Sequence, residues 1–156
     1  MSNFGDYRIK SLDFIEIDAI KPLWEELNAW TARISPHFGK HFETMTFEKR
    51  KAEFAEKRRR GELLIDSCVY RSAMDIAGYC VSNIIDGVGE IDSLFVKETH
   101  RGCNAGGLLM ESAMAWMKDR GVRDITVNVA VGNERALGFY QKFGLFPRLI
   151  LLSNKR

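Results

Sequence analysis

Cysteine, proline and histidine are all scarce in this chain of 156 residues, with three of each. Cys68, Cys80 and Cys103 are an odd number at wide spacing, which fits neither a disulfide framework nor a zinc site. Reduced thiols in a cytoplasmic protein, with no metal site, are the expectation. Pro22, Pro36 and Pro147 stand apart, and no Pro- or Gly/Ser-rich linker, repeat or low-complexity stretch divides the chain. Net charge is small too. Twenty-three basic and 21 acidic residues leave +2, too little to draw the protein strongly to nucleic acid or an anionic membrane. The run Leu149-Ile150-Leu151-Leu152 is far short of a membrane span, and Met1 to Tyr7 has neither the basic nor the apolar region of a secretion signal. What is present is ordinary for a soluble globule: 46% apolar and 28% charged residues, which excludes a disordered or collagen-like chain. A single domain over residues 1–156 is expected, large enough to fold without a metal or disulfide staple.

Periodicity then orders the elements. Tyr7–Leu12 reads as a strand and Asp18–Arg33 as a helix, with Ile20, Leu23, Trp24, Leu27, Thr31 and Ile34 in one stripe. Ser35-Pro36 ends it. After a loop of aromatics and imidazoles, Thr46 can cap a second helix, which runs to Arg60 and stops at Gly61. The period changes to two over Leu63–Arg71, Ala73–Ile85 and Val88–Val96, with Asp86-Gly87 as a hairpin signal. A helix over Cys103–Arg120, a strand over Ile125–Val131, a helix over Asn133–Phe143 and a last strand over Phe146–Leu152 complete the chain. The order β-α-α-β-β-β-α-β-α-β predicts an α/β (α+β) fold. It is a mixed, mostly antiparallel sheet of six to seven strands with helices on both faces.

The sharpest motif leaves the fourth strand and opens a helix: Arg101-Gly102-Cys103-Asn104-Ala105-Gly106-Gly107. Glycines let backbone approach a ligand closely, and the first helical N–H groups point at an anion. Arg101 adds charge, so a pyrophosphate suits the loop better than a neutral ligand. A Walker loop is excluded because Leu108, not Lys, follows Gly107. A Rossmann turn is excluded by spacing and position.

This segment resembles the acyl-CoA-binding motif of the GNAT superfamily of N-acyltransferases, Arg/Gln-x-x-Gly-x-Gly/Ala after a strand. Arg101 and Gly106 match its ends, and Asn104 replaces the first glycine. Asparagine is the residue next best able to adopt a left-handed backbone. A second segment, Asn133 to Leu145, resembles the family's Asn-x-x-Ala-x-x-hydrophobic-Tyr-x-Lys-x-Gly-Phe. Asn133, Ala136, Phe139, Tyr140, Lys142 and Gly144 match, and Leu145 replaces the phenylalanine. In residues the resemblance is specific from about Glu90 to Phe146.

The resemblance implies an acetyl-CoA-dependent N-acetyltransferase acting on a primary amine by direct attack in a ternary complex. It implies that strands four and five splay apart and that acetyl-CoA lies in the gap. Leu94, Phe95 and Val96 would meet its pantetheine arm. Arg101, Gly102, Cys103, Asn104, Ala105, Gly106 and Gly107 would hold its phosphates, with Asn133 and Tyr140 beside it. Tyr140 is the implied proton donor to the leaving sulfur; an ordinary phenol, with a pKa of about 10, carries a proton at neutral pH. Glu90 and Asp92 are the implied alternatives for the base. With Leu94 and Val96 they are expected on one face of the strand, since side chains alternate. Two carboxylates there are expected to raise one pKa. His37, Phe38 and His41, in the loop that borders the acceptor in this family, are candidate acceptor-site residues, and the two histidines are rival bases.

The basic helix, with Lys49, Arg50, Lys51 and Lys57 to Arg60, reads as a solvated face laced by Glu53–Lys57 and Glu56–Arg60 pairs. No nucleic-acid or membrane partner is expected, and a homodimer is an expectation by resemblance. A non-catalytic CoA-binding domain of the same fold is the alternative, separable by turnover on any amine. The acceptor itself is not readable from these residues.

Overall fold

The computed structural model describes residues 4–71 and 75–154. Strand β1 (Tyr7–Ser11) is followed by a 3-10 stretch, Phe14–Ile20, and helix α1 (Lys21–Ile34). The expected first helix is thus divided, with Pro22 in the first turn of α1, where its missing N–H costs nothing. Ser35 is extended and ends α1 ahead of Pro36. A short helix α2 (Gly39–Glu43) occupies the expected loop. Helix α3 (Phe47–Arg60) is capped as expected: the Thr46 hydroxyl accepts from the Lys49 N–H at 3.2 Å. Gly61 ends it, and a Cβ there would lie 2.0 Å from the Ile84 carbonyl oxygen, so only glycine fits.

Strands β2 (Glu62–Tyr70), β3 (Ile76–Ile85) and β4 (Val88–Val96) form an antiparallel meander; of the third expected strand, residues 73–74 lie outside the described residues. Helix α4 (Ala105–Asp119) crosses back, so that β5 (Asp124–Val127) pairs parallel to β4; helix α5 (Arg135–Gln141) follows. The sheet order is β1-β2-β3-β4-β5. Helix α4 covers one face and α1 and α3 the other. Two cores result. One holds Leu109, Met110, Ala113 and Met117 of α4 against Cys80, Ile84 and Ile91; the other holds Trp24, Phe47 and Phe54 against Ile65, Tyr79, Val81 and Phe95.

The mixed, mostly antiparallel sheet is as the sequence predicts, but the described residues form five strands, not six or seven. The expected last strand, Phe146–Leu152, pairs with no strand. Gly144 at φ +78° closes α5, the Leu145 N–H reaches back to the Tyr140 carbonyl, and Pro147 follows, so the chain leaves the sheet instead of rejoining it.

Candidate active site

Strand β4 carries an irregularity that decides where its side chains go. Val81 of β3 faces Ser93, but the next residue, Ser82, faces Ile91, so Asp92 is an extra residue. The alternation therefore slips. Glu90 and Asp92 reach toward α3, whereas Leu94 and Val96 join the α4 core. The expectation that all four share a face is corrected by this bulge. The pairing of β4 with β5 ends one residue earlier, at Ile91–Val127. From Asp92 to Val96 the β5 side of β4 is open, which is the splay expected between these strands.

Both carboxylates are neutralised from α3. Lys57 Nζ donates to Glu90 Oε2 and to Asp92 Oδ2, each at 2.7 Å. Asn83 Nδ2 donates to the same two oxygens at 3.0 and 3.1 Å. Arg50 binds Asp92 through both its side chain and its carbonyl. Asp92, with its side chain 3% exposed, has both oxygens occupied. Glu90 keeps Oε1 directed across the gap, 3.4 Å from Asn128 Nδ2. Burial acts to raise the Glu90 carboxyl, but the hydrogen bonds from Asn83 and Lys57 and the charges of Lys57 and Arg50 outweigh it and hold it below its ordinary value. This corrects the expected upward shift: two carboxylates repel only until a cation sits between them. The reading of α3 as a solvated face holds for Lys49 and Arg58 to Arg60, which are exposed, but not for Arg50 and Lys57, which turn inward. Lys57 does not pair with Glu53, which takes Arg50 instead, and Glu56 takes Arg59 rather than Arg60.

The glycine loop adopts the predicted left-handed turn. Gly102 has φ +74° and Asn104, at the N-cap of α4, has φ +63°. The Asn104 carbonyl accepts the Leu108 N–H at 3.0 Å, so the N–H groups of residues 105–107 form the open first turn. Open space lies over Gly102, while the Asn104 side chain covers Gly107, where a Cβ would sit 2.0 Å from Asn104 Oδ1. Gly106 lies against the Phe139 ring, which bonds this loop to α5 by close packing. Arg101 turns back along the strand: Nε donates to the Val96 carbonyl at 3.1 Å and the guanidinium lies over the Phe95 ring. Cys103 packs at the rim of the α4 core.

Tyr140 projects from α5 into that core, among Leu94, Val96, Val127 and Val129. Burial, with a smaller contribution from Cys80, pushes its phenol well above the ordinary value, so it is protonated at neutral pH. Tyr140 is 9% exposed, and its hydroxyl makes no hydrogen bond among the described residues and is not fully enclosed. The Asn133 carbonyl accepts the Ala136 N–H at 3.0 Å and starts α5. Just before it, Gly132 closes on the end of α1, where a Cβ would lie 2.4 Å from the Ile34 carbonyl oxygen.

The family model described as "Acetyltransferase (GNAT) family" matches residues 23–145. The chain belongs to this acetyltransferase family. It is 35% identical over 72 residues to a putative [ribosomal protein bS18]-alanine N-acetyltransferase of Bacillus subtilis (strain 168), covering 46% of this chain and 48% of that protein. It is 39% identical over 54 residues to the peptidyl-lysine N-acetyltransferase YjaB of Escherichia coli (strain K12), covering 35% and 33%. The matches thus span half or less of these curated relatives. Among solved structures, the PaiA N-acetyltransferase of Thermoplasma acidophilum in complex with coenzyme A has a TM-score of 0.68 at 21% identity, covering 92% of this chain and 89% of that one. The aminoglycoside N-acetyltransferase AAC(6')-Iy in complex with CoA has a TM-score of 0.69 at 14% identity, covering 96% and 95%.

In this GNAT chain the candidate acceptor residues lie in one short segment, His37 and Phe38 at the start of α2 and His41 within it. His37 and His41 are exposed, Phe38 is half-buried, and the recess between α1 and the α2–α3 turn is lined by Trp24, Glu25, Asn28 and Met45 without either histidine. The third histidine, unassigned by sequence reasoning, is the better placed. His100 Nδ1 lies 3.0 Å from Tyr7 Oη, and Nε2 lies 3.4 Å from Asp75, which braces the glycine loop against β1. Lys57, Arg50 and Asn83 were also missed. Their one signal is the basic residues of α3 at a spacing, Arg50 to Lys57, that returns to the same helix face. Among the described residues no group of His, Cys, Asp or Glu side chains is arranged to hold a metal ion, and no helix is long and apolar enough to cross a membrane.

Proposed function

We propose that this chain transfers an acetyl group from acetyl-CoA to a primary amine, in a ternary complex. The observation that carries the reading is the open edge of β4 from Asp92 to Val96, bounded by a left-handed glycine loop at one end and the Tyr140 hydroxyl beside it. That the named relatives act on an alanine amine and on peptide lysine supports an amine as acceptor.

The residues present suit coenzyme A. The αL turn at Gly102 and Asn104 leads into the first-turn N–H groups of α4, with open space over Gly102, where a pyrophosphate could approach the backbone once the Asn104 side chain swings off Gly107. Arg101 supplies a cation at the mouth once it leaves the Val96 carbonyl, and its departure exposes that strand edge. Leu94, Phe95 and Val96 then offer backbone groups to a pantetheine amide. When bound, the thioester supplies an activated acyl carbon and a thiol leaving group. Tyr140 Oη holds the proton that a leaving thiolate needs, since a phenol is protonated at neutral pH and burial raises its pKa further. Glu90 Oε1, held ionised and turned to the gap, draws the acceptor ammonium and takes its proton through water. Asp92, with both oxygens engaged, positions Lys57 and Arg50 and takes no part in proton transfer. The chain acts as one domain, residues 1–156.

A thermal melt with acetyl-CoA, against ATP and NADH, tests the first half of the reading. At a hundred times its dissociation constant a ligand adds about 2.7 kcal/mol. For this size that raises the midpoint by roughly 5–10 °C. Release of CoA over a panel of amines tests the second half. A rise without turnover on any amine favours the non-catalytic CoA-binding reading, and no rise with any CoA compound overturns both.

A further inference from the structure

An extra residue in a strand is left out of the ladder, and its backbone groups need partners elsewhere. In β4 that residue is Asp92, and the partner comes from α3. Arg50 Nη2 donates to the Asp92 carbonyl at 3.1 Å and also to the Asp92 carboxylate. The guanidinium is itself fixed. Nη1 donates to Glu53 at 2.6 Å, Cζ lies over the Phe54 ring 4.4 Å from its centre, and the side chain is 19% exposed. A planar fork held in this way fixes direction as well as charge, which an ammonium does not. Lys57 is no substitute. Among the described residues it donates to carboxylate oxygens of Glu90 and Asp92 and leaves the backbone alone. The next residue of β4 is pinned from β3, where Tyr79 Oη and Ser93 Oγ lie 2.7 Å apart and both side chains are buried.

The strip of β4 beyond the bulge is where this hold acts. The Lys97 N–H crosses to the Ala77 carbonyl of β3 at 2.9 Å. By alternation the backbone groups of Val96 and Leu94 face the other way, toward the open edge. The Val96 carbonyl, which accepts from Arg101, has that direction. Leu94 stands two residues from Asp92 and packs in the same core as Tyr140, so a tilt of the chain at Asp92 passes to the outward groups of Leu94. We propose that Arg50 is a positioning residue for acetyl transfer: by holding the carbonyl of the extra residue, it fixes how the open edge of β4 presents the backbone of Leu94 to the acyl end of acetyl-CoA. This assignment rests on the acetyl-transfer reading above. Arg50 touches no reacting atom and acts through Asp92.

The test is steady-state kinetics of the full chain with an amine that the parent acetylates, beside thermal melts with and without acetyl-CoA. Arg50→Lys keeps the charge and loses the fork. It should lower kcat by about 10- to 100-fold, since misplacing a reacting group by about 1 Å costs up to about the larger figure. KM for acetyl-CoA should change by less than about threefold, and the acetyl-CoA melt shift should remain. Arg50→Ala should lose at least as much kcat, and millimolar guanidinium chloride should restore part of it where sodium chloride of equal strength does not. If Arg50→Ala does not fold, Arg50→Lys carries the comparison alone. Parental kcat per folded molecule in Arg50→Lys overturns the proposal. So does a loss confined to KM, or a loss in a folded Arg50→Ala that guanidinium leaves unchanged, which marks a merely structural role. A parent that turns over no amine yet keeps its acetyl-CoA melt shift overturns the acetyl-transfer reading and this assignment together, a pattern distinct from an active parent indifferent to Arg50.

Discussion

On the α3 face of β4, Glu90 and Asp92 lie against Lys57, Arg50 and Asn83; on the α4 face, Leu94 and Val96 lie with Tyr140 among aliphatic side chains. Burial acts on both sides, and the outcomes differ. On the first face, cations within hydrogen-bond reach overcome desolvation and keep a carboxylate charged. On the second, nothing opposes desolvation, and a phenol stays neutral. At neutral pH a carboxyl is ionised and a phenol protonated in any case; the two surroundings push each further the same way, the first by supplying counter-charges and the second by lacking them.

The comparison breaks hardest at Tyr140. Tyr140→Phe keeps the apolar packing and removes the proton. On the proposed mechanism kcat falls by about 10²–10⁴-fold while the acetyl-CoA-induced melt shift is retained, since general acid–base contributions are of that size. A Phe variant with full turnover removes Tyr140 from the mechanism.

Next in size is the removal of the bridging cation. Lys57→Met leaves Asp92 and Glu90 side by side with Arg50 as the one remaining bonded cation and Asn83 and Asn128 as neutral donors. Breaking a fully buried ion pair costs about 3–5 kcal/mol, and the remaining partners and partial exposure reduce this to about 2–3 kcal/mol in urea unfolding. The variant also changes the acid limb of stability. In the parent, Glu90 is held below its ordinary value, so its contribution is complete above the unfolded carboxyl pKa of about 4.3 and is lost as pH falls through the folded value. Without Lys57 the folded value rises, and acid unfolding begins at higher pH. Lys57 itself is held above its ordinary value by Asp92 and Glu90 against the opposing effect of burial. Its contribution is complete below about pH 10.4 and disappears only above that, as pH rises through the folded value, so the alkaline limb of the parent is the later to fail.

Smallest is the substitution at the loop that both faces share. Asn104 holds φ +63°. Asn104→Ala should cost about 1 kcal/mol in stability, the penalty of a Cβ in a left-handed turn without the local hydrogen bonding of asparagine. Asn104→Gly should cost nothing and bind acetyl-CoA at least as well. An Ala variant with unchanged stability shows that the turn relaxes.

Most of this fold was legible because its signals are local. The capping hydroxyl of Thr46, the stop at Gly61 and the αL-compatible Asn104 each act within a few residues. The candidate site was legible where it depends on a motif, as at Tyr140 and residues 101–107. It was illegible where it depends on one extra residue or on an encounter across the fold. Nothing near Asp92 announces a bulge, since the count of residues opposite it is set by β3. The helix shows only that Arg50 and Lys57 share a face, not that they turn inward, since their partner Asp92 lies 42 and 35 residues away. The last strand failed for the complementary reason: its apolar pattern is clear, but pairing depends on where the turn at Gly144 sends the chain, and here it leads away from the sheet.

The bulge has an evolutionary corollary. Because one extra residue decides which side chains of β4 meet ions and which meet oil, the strand behaves like a parity switch. Deleting the extra residue leaves Leu94 on the α4 face and restores an unbroken ladder but takes away Asp92, the carboxylate that Arg50 and Lys57 share, and inserting a further residue without widening the bulge turns Leu94 toward Lys57, whereas substitutions leave the partition intact. Among descendants of this chain, drift in that stretch should therefore run through replacements and spare its length.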